Sequence, residues 1–426
     1  MALAIHRLRR GPPSCRSECS RAFGAARLSA TSSEQASSAS VGVRIKELDG
    51  YRGVAVLSIV LYHYVVLQLQ VEPGTAMAYA QKYLQSLWVG VDAFFVLSGF
   101  LIGGILLDKK ESTNLFEVFY LRRALRIFPP YVMLLICWAA VSPISHLPGM
   151  SWLLEPESPT WPYIFYVQNF WMAVRGGFGP NLVAATWSLA IEEQFYLLFP
   201  LAIRLTSRWA LPLLLGIGAL LAPTLRLGLA FLGSEWKQAL IVLLPLRWDS
   251  LLLGAGIAWV VREPALMEWV RANKKSATRL LLLLSAWMVL LPFVVESPDW
   301  VISPWRAFVV FLAIAGFFAL TLLLLKLGEL RTIASILSGR TLRFFGKISY
   351  FLYLFHTAFL GLAFVLVGNK SPVLRSWQDW GVMLLAFVLC VTIAELSWRT
   401  IEAPLVRLGH GFAYSRPTLS GKEVAA

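Results

Sequence analysis

The stretch LDGYRGVAVLSIVLYHYV, Leu48 to Val65, sets Arg52 near the start and His63 near the end of a largely apolar run of helix length. At 100° per residue the eleven steps between them close to within roughly 20° of whole turns, so both lie on one helix face, about 16 Å apart along the axis. Lipid penalises such groups, which makes them candidates for a wet interior. A neutral imidazole can take a proton from a hydroxyl near neutral pH, the work of a general base. The plainer role for His63 is a hydrogen bond between packed helices. Arg52 is permanently charged and cannot act as a base. It suits a phosphate or a developing negative charge, or else anchors a helix end at the headgroups.

Ser188, Glu192 and Tyr196 stand at i, i+4 and i+8, so one helix face carries a hydroxyl, a carboxylate and a phenol in a row. Glu192 either bridges to an Arg or His across the bundle or orients a reacting group; Glu193 points to a different face. Arg123 and Arg126 form an RxxR pair able to hold a polyphosphate, though basic surface helices also meet anionic lipid. Ser98, with Gly99 and Gly103, makes either a polar notch for a substrate or a helix-packing contact. Asp92, the Arg247, Trp248, Asp249 cluster and His356 are further polar intrusions; His356 reads as a hydrogen-bonded structural residue. No HExxH run or paired histidine spacing suggests a metal or haem, so no metal site is expected. Of four cysteines, Cys15 and Cys19 lie in a polar tail and Cys137 and Cys390 in apolar runs, without a CxxC pair.

The elements that must position these groups are membrane helices. The chain is 58% hydrophobic and only 15% charged, too little polar surface for a soluble globule of 426 residues. Its apolar runs of about 18 to 23 residues suit helices crossing a bilayer, and LLLLSAWMVLLPFVV is apolar on every face, unlike a barrel strand. The expected fold is all-α, a polytopic transmembrane bundle. Ten spans are placed near Glu47–Leu69, Leu87–Leu107, Tyr131–His146, Thr186–Leu205, Trp209–Leu232, Ala239–Val261, Leu280–Val295, Trp305–Leu325, Ile348–Val367 and Asp379–Trp398. Arg122, Arg123 and Arg126 then sit on a short amphipathic helix that Pro129 and Pro130 end. Tyr163 to Val174 is too short to cross comfortably and reads as a re-entrant or interfacial helix; if it crosses, the spans number eleven.

A net charge of +14 raises the question of nucleic acid. With these spans most Lys and Arg fall in the tails and loops of one side, while the loops with Glu155, Glu157 and Asp299 are poor in bases. That is the asymmetry of a membrane protein with both termini in the cytosol. The basic clusters are split among loops and lack aromatic stacking motifs, so no nucleic-acid partner is expected. Residues 1–44 form a basic, acid-poor tail, either disordered or a targeting segment; 45–408 form the membrane domain and 409–426 a disordered cytosolic tail.

Six strings in order, LDGYRGVAVLSIVLYH, GVDAFFVLSGFLI, FYLRRALRIFPPY, TWSLAIEEQFYLLFP, ISYFLYLFH and IEAPL, resemble the acyltransferase-3 family of integral-membrane acyltransferases. The resemblance covers about Leu48 to Leu408. It implies transfer of an acyl group, acetyl foremost, from cytosolic acyl-CoA to a hydroxyl of a carbohydrate, glycolipid or related acceptor. The family's R-x10-H element maps onto Arg52 and His63, its RxxR onto Arg123 and Arg126, and its SxxxExxxY onto Ser188, Glu192 and Tyr196. By resemblance the arginine pair meets the phosphates of CoA, and His63 activates the acceptor hydroxyl or otherwise handles the acyl group. Some members carry an esterase-like extracytoplasmic domain. This chain ends soon after the tenth span, so the bundle alone or another protein is expected to handle the acceptor.

The expected protein is thus a multi-pass cell-membrane O-acyltransferase with no tightly bound cofactor. His63, Arg52 and Glu192 are its catalytic candidates, and Arg123, Arg126, Ser188, Tyr196, Ser98 and Gly99 its substrate-binding ones. The alternative is a transporter or lipid flippase, which needs polar groups in the bundle but no rim for CoA phosphates.

Overall fold

The computed structural model describes residues 46–155, 158–295 and 303–415. The expectations placed on Glu157, Asp299, the tail 1–44 and the last eleven residues lie outside the described residues. Among the described residues the secondary structure is helical apart from one isolated bridge, Leu69 with Leu374. The helices used below are α1 (Lys46–Leu61), α2 (Gly90–Lys109), α3 (Leu115–Val141), α4 (Gln168–Arg175), α5 (Thr186–Leu205), α6 (Leu211–Ala230), α7 (Trp248–Val260), α8 (Lys274–Val294), α9 (Pro304–Lys326), α10 (Ser349–Gly368), α11 (Trp377–Ser397) and α12 (Ala403–His410).

Seven helical stretches among the described residues are long and apolar enough to cross a membrane, and an eighth counts if α7 and Pro264–Ala272, bent by 100°, act as one span. Their outer faces carry leucines that water would reject: Leu282 and Leu283 on α8 are 64% and 68% exposed. Lipid accepts that surface, so the hydrophobic effect does not hold these helices together; close packing and internal polar contacts must. Neither α1 nor α5 is among the seven. Both are diluted by the polar side chains that carry the candidate chemistry, and α1 gives way after Leu61 to a π turn, Tyr62–Val66, that contains His63.

Three local expectations are corrected. Pro129 and Pro130 do not end a surface helix: α3 runs unbroken from Leu115 to Val141 with both prolines inside. A proline frees the carbonyl one turn back, but inside a bundle neighbouring side chains can re-satisfy the backbone. The sixth expected span, Ala239–Val261, is broken instead: Lys237–Val242, a 3-10 turn at Leu244–Leu246 around Pro245, and then α7. The Tyr163 to Val174 stretch is likewise two pieces, Trp161–Ile164 and α4, separated by Tyr166 in the left-handed region at φ 54°.

Glycines set how closely the inner helices approach. A Cβ on Gly99 of α2 would lie 1.8 Å from the Leu251 carbonyl of α7, and one on Gly254 of α7 would lie 2.0 Å from the Val96 carbonyl of α2. The two backbones are therefore in contact, the arrangement small residues permit in membrane helices. Beside this seam two fully buried ion pairs join further helices: Arg247 to Asp92 of α2 and Arg226 of α6 to Asp249 of α7, each at 2.7 Å. Ser250 Oγ also donates to Asp92 at 3.0 Å, and Arg226 Nε to the Ala307 carbonyl of α9 at 2.9 Å. The polar cluster that carried no role in the sequence thus ties α2, α6, α7 and α9 together.

After α11 the chain passes through a π turn, Trp398–Glu402, into α12. The following residues return to the start of α3: Arg122 donates to the Phe412 carbonyl, and the Ser415 amide to Asn114 Oδ1. The segment expected to be a free tail from Gly409 is docked there as far as it is described.

Candidate active site

Helix α5 presents Ser188, Glu192 and Tyr196 along one face, as a spacing of four dictates, and the bundle turns that face inward. A cavity of 90 Å³ opens in front of it, room for several waters or a small acyl group. Its polar wall is assembled from five helices: Arg52 of α1, Ser98 of α2, Arg123 and Arg126 of α3, the α5 trio, and Ser349, Tyr350 and Tyr353 of α10. Val91, Phe94, Phe95, Leu101, Ile102, Ile127 and Leu189 complete it.

Ser98 Oγ lies 2.5 Å from Glu192 Oε1 and 2.9 Å from Tyr196 Oη. An ionised carboxylate only accepts, so Ser98 donates to Glu192 and Tyr196 in turn donates to Ser98. The result is a relay of oriented hydroxyls ending on one carboxylate. On the other side Ser188 Oγ and Tyr353 Oη are 2.6 Å apart, both within reach of the Ala185 carbonyl at 3.2 and 3.1 Å. Against Glu192 the cavity wall sets three guanidinium groups, Arg52, Arg123 and Arg126. That excess of fixed positive charge, in a space of low dielectric, suits an anionic ligand or a developing oxyanion.

The arginine pair has two faces. With Arg122, His410 and Tyr414, Arg123 and Arg126 also line a separate 70 Å³ cavity between α3 and α12. Arg123 and Tyr196 reach in addition into a wider groove of 620 Å³ between α3 and α5, where Glu193 lies. Glu193 is thus directed away from the Ser98 relay, as its position next to Glu192 on a helix requires.

Seven of the nine residues singled out in the sequence line the inner cavity; Gly99 and His63 do not. Gly99 is spent on the contact with Leu251 described above, one position and 100° round α2 from Ser98. His63 lies three turns beyond Arg52, in the π turn, with Nδ1 2.9 Å from the Ile59 carbonyl. A carbonyl only accepts, so Nδ1 carries the hydrogen and Nε2 keeps the basic lone pair. The ring packs edge-on against His356 of α10, with centroids 4.8 Å apart. Arg52 lines the inner cavity and His63 does not: they mark two levels of one helix face.

Tyr350, Tyr353 and Ser349 were missed in the sequence. Tyrosines at i and i+3 in the otherwise apolar run ISYFLYLFH, followed three residues later by a histidine, were the available signal. Among the described residues no group of three or more His, Cys, Asp or Glu side chains is placed to hold a metal ion.

A helical membrane bundle with a cationic cavity held between its inner helices is the class of protein that fold and site define. The chain belongs to the acyltransferase-3 family: the family's profile, described as an acyltransferase domain, matches residues 45–398. Among curated proteins it is similar to the O-acetyltransferase OatA of Staphylococcus aureus strain NCTC 8325 / PS 47 and to OatA of strains COL and MRSA252. Each is 29% identical over 377 residues, covering 85% of this chain and 57% of the relative. The chain thus spans somewhat more than half the length of the curated relatives it matches. No solved structure matches.

Proposed function

We propose that this domain is a multi-pass O-acyltransferase of the cell membrane, taking an acyl group, acetyl foremost, from cytosolic acyl-CoA and passing it to a hydroxyl. The observation that carries this reading is the double exposure of Arg123 and Arg126, which line both the basic outer cavity and the inner cavity with the Ser98–Glu192 relay. A donor with phosphates at one end and a thioester at the other fits such an arrangement. Its phosphates rest on the guanidinium pair while its arm passes inward. A carrier or flippase would not need a cationic partition between two cavities.

His63 Nε2 takes the proton of the acceptor hydroxyl as its oxygen attacks the thioester carbon. The C–O bond forms, the C–S bond breaks, and the proton passes on to the departing thiolate. Arg52 and His63 stand about 16 Å apart along α1, and the long flexible arm of a CoA thioester covers that distance. Arg52 then steadies negative charge on the donor, while Glu192, through Ser98 and Tyr196, fixes the wall beside it. The acceptor is a carbohydrate or lipid-linked hydroxyl, a reading supported by the name O-acetyltransferase borne by the similar proteins.

The test is acyl transfer by the purified full chain in lipid nanodiscs with acetyl-CoA as donor. His63→Ala should lower turnover by a factor of about 10² or more, the usual scale of a general base, while the protein still inserts. Retained turnover would defeat the base role. Mass spectrometry of glycans and lipids from cells lacking the protein identifies the acceptor by the ester that disappears.

A further inference from the structure

Arg122 stands one residue before the RxxR pair and lines the outer cavity with it, yet its guanidinium is held by the segment that follows α12. Nε and Nη2 donate to the Phe412 carbonyl at 3.1 and 2.5 Å, and Nη2 also reaches the His410 carbonyl at 3.4 Å. The Tyr414 ring lies against the group, its centroid 4.9 Å away. Asn114, just before α3, is the second anchor: Nδ2 donates to the Ala413 carbonyl at 3.0 Å, and Oδ1 accepts from the Ser415 amide at 2.8 Å. The Asn114 side chain makes no cap bond to α3. The Thr113 amide adds a bond to the Ser415 carbonyl at 3.4 Å.

Segment 411–415 lies past residue 398, where the match to the family profile stops. Hydrogen bonds rather than burial hold it: Gly411, Phe412, Ala413 and Ser415 are exposed and Tyr414 is half-buried. Lifting it therefore strips little apolar surface, the condition for local opening at low cost. Three guanidinium groups, Arg122, Arg123 and Arg126, meet in the 70 Å³ cavity that Tyr414 helps to wall, and none of its lining side chains is acidic. Arg122 thus spends its donors on neutral carbonyls beside a space that calls for an anion. A phosphate is charged and accepts two parallel bonds from one guanidinium, so Arg122 bonds it more strongly than it bonds Phe412.

We propose that Arg122 is a third binding residue for the donor's phosphates and that segment 411–415 holds it in reserve. An entering phosphate replaces the His410 and Phe412 carbonyls on the guanidinium, and the segment lifts off α3. The inference rests on the donor-phosphate role proposed for Arg123 and Arg126. Donor binds the lifted state, so its measured affinity is that of the three arginines scaled by the fraction of molecules in that state. Arg122 and Asn114 hold the same segment but act on the donor in opposite senses. Losing the Asn114 side chain only raises the lifted fraction. Losing Arg122 raises it too, but also removes a charge-assisted bond to phosphate, which is the larger effect.

The test uses the purified full chain in nanodiscs with CoA as the probe. Hydrogen exchange of the Thr113 and Ser415 amides, both bonded across the contact, should quicken by about threefold or more when CoA saturates the protein. In calorimetric titrations Asn114→Ala should bind CoA about threefold more tightly and Arg122→Ala about fivefold more weakly. Exchange that slows with CoA would make the segment a cover closing on the donor, and overturns the proposal; so does unchanged exchange. Asn114→Ala binding no tighter than wild type overturns it as well. Tighter or unchanged binding by Arg122→Ala overturns the phosphate contact, because Arg122 would then be an anchor only. Arg123→Ala with Arg126→Ala separates the two readings. If that variant binds CoA as wild type does, the donor site falls and this inference with it. If it loses CoA while exchange in the wild type does not quicken with CoA, only this inference falls.

Discussion

The hydroxyl of Ser98 on α2 lies 2.5 Å from the carboxylate of Glu192 on α5, closing a contact between residues 94 positions apart. Ser98 is also the acceptor for Tyr196, so a single small side chain orients both polar groups of α5. Ser98→Ala would leave a buried carboxylate without its donor and a phenol without its acceptor, at a cost of about 1–3 kcal/mol. A lowered melting temperature of the purified protein, partly restored in Ser98→Thr, is the expected result. Identical melting of Ser98→Ala and wild type would mean that the relay does not hold the two helices.

Arg123 and Arg126 should act on the donor. A hydrogen bond to a charged group contributes about 1.5–3 kcal/mol, so Arg123→Ala with Arg126→Ala should raise the acetyl-CoA KM by about tenfold or more. Thermal stability without donor should change far less. Steady-state kinetics over a range of acetyl-CoA decides it: unchanged donor saturation removes the phosphate role.

Gly99 and Gly256 make a matched comparison. A Cβ at Gly99 meets a backbone carbonyl at 1.8 Å, so Gly99→Ala must push α2 from α7 and should cost about 1–3 kcal/mol, with loss of the nearby Ser98 contact. At Gly256 a Cβ meets nothing within 4 Å, and Gly256→Ala should be neutral or stabilise by about 0.5–1 kcal/mol. Membrane yield and melting temperature of the two variants test this. Equal behaviour would contradict the close α2–α7 contact.

The Asp92–Arg247 pair should show strong coupling. Removing one partner strands a buried charge, so Asp92→Leu or Arg247→Leu should each cost about 3–5 kcal/mol, whereas the double replacement should cost less than either loss added to the other. A double-mutant cycle by thermal unfolding measures it, and strict additivity would show that the pair is not coupled.

Much of this was already written in the chain as a linear code. Helical period alone puts Ser188, Glu192 and Tyr196 on one face, and apolar length alone marks a membrane bundle, because both follow from the geometry of a single helix. Local breaks were harder to read. Proline at 129 and 130 suggested a helix end and proved to be interior, while Pro245 lies in a real break, since whether freed backbone groups find new partners depends on neighbours distant in sequence.

The sequence by itself determined the solvent this protein lives in, the helices it builds and which side chains each helix offers together. Only the tertiary structure decided that Ser98 would meet Glu192, that Tyr353 would meet Ser188, that Gly99 would serve packing, and that His63 would rest on His356 rather than beside Arg52. The reason is physical: a helix fixes the angle of its own side chains. Their partners on other helices depend on the depth and rotation at which small residues and buried ion pairs let the helices lock.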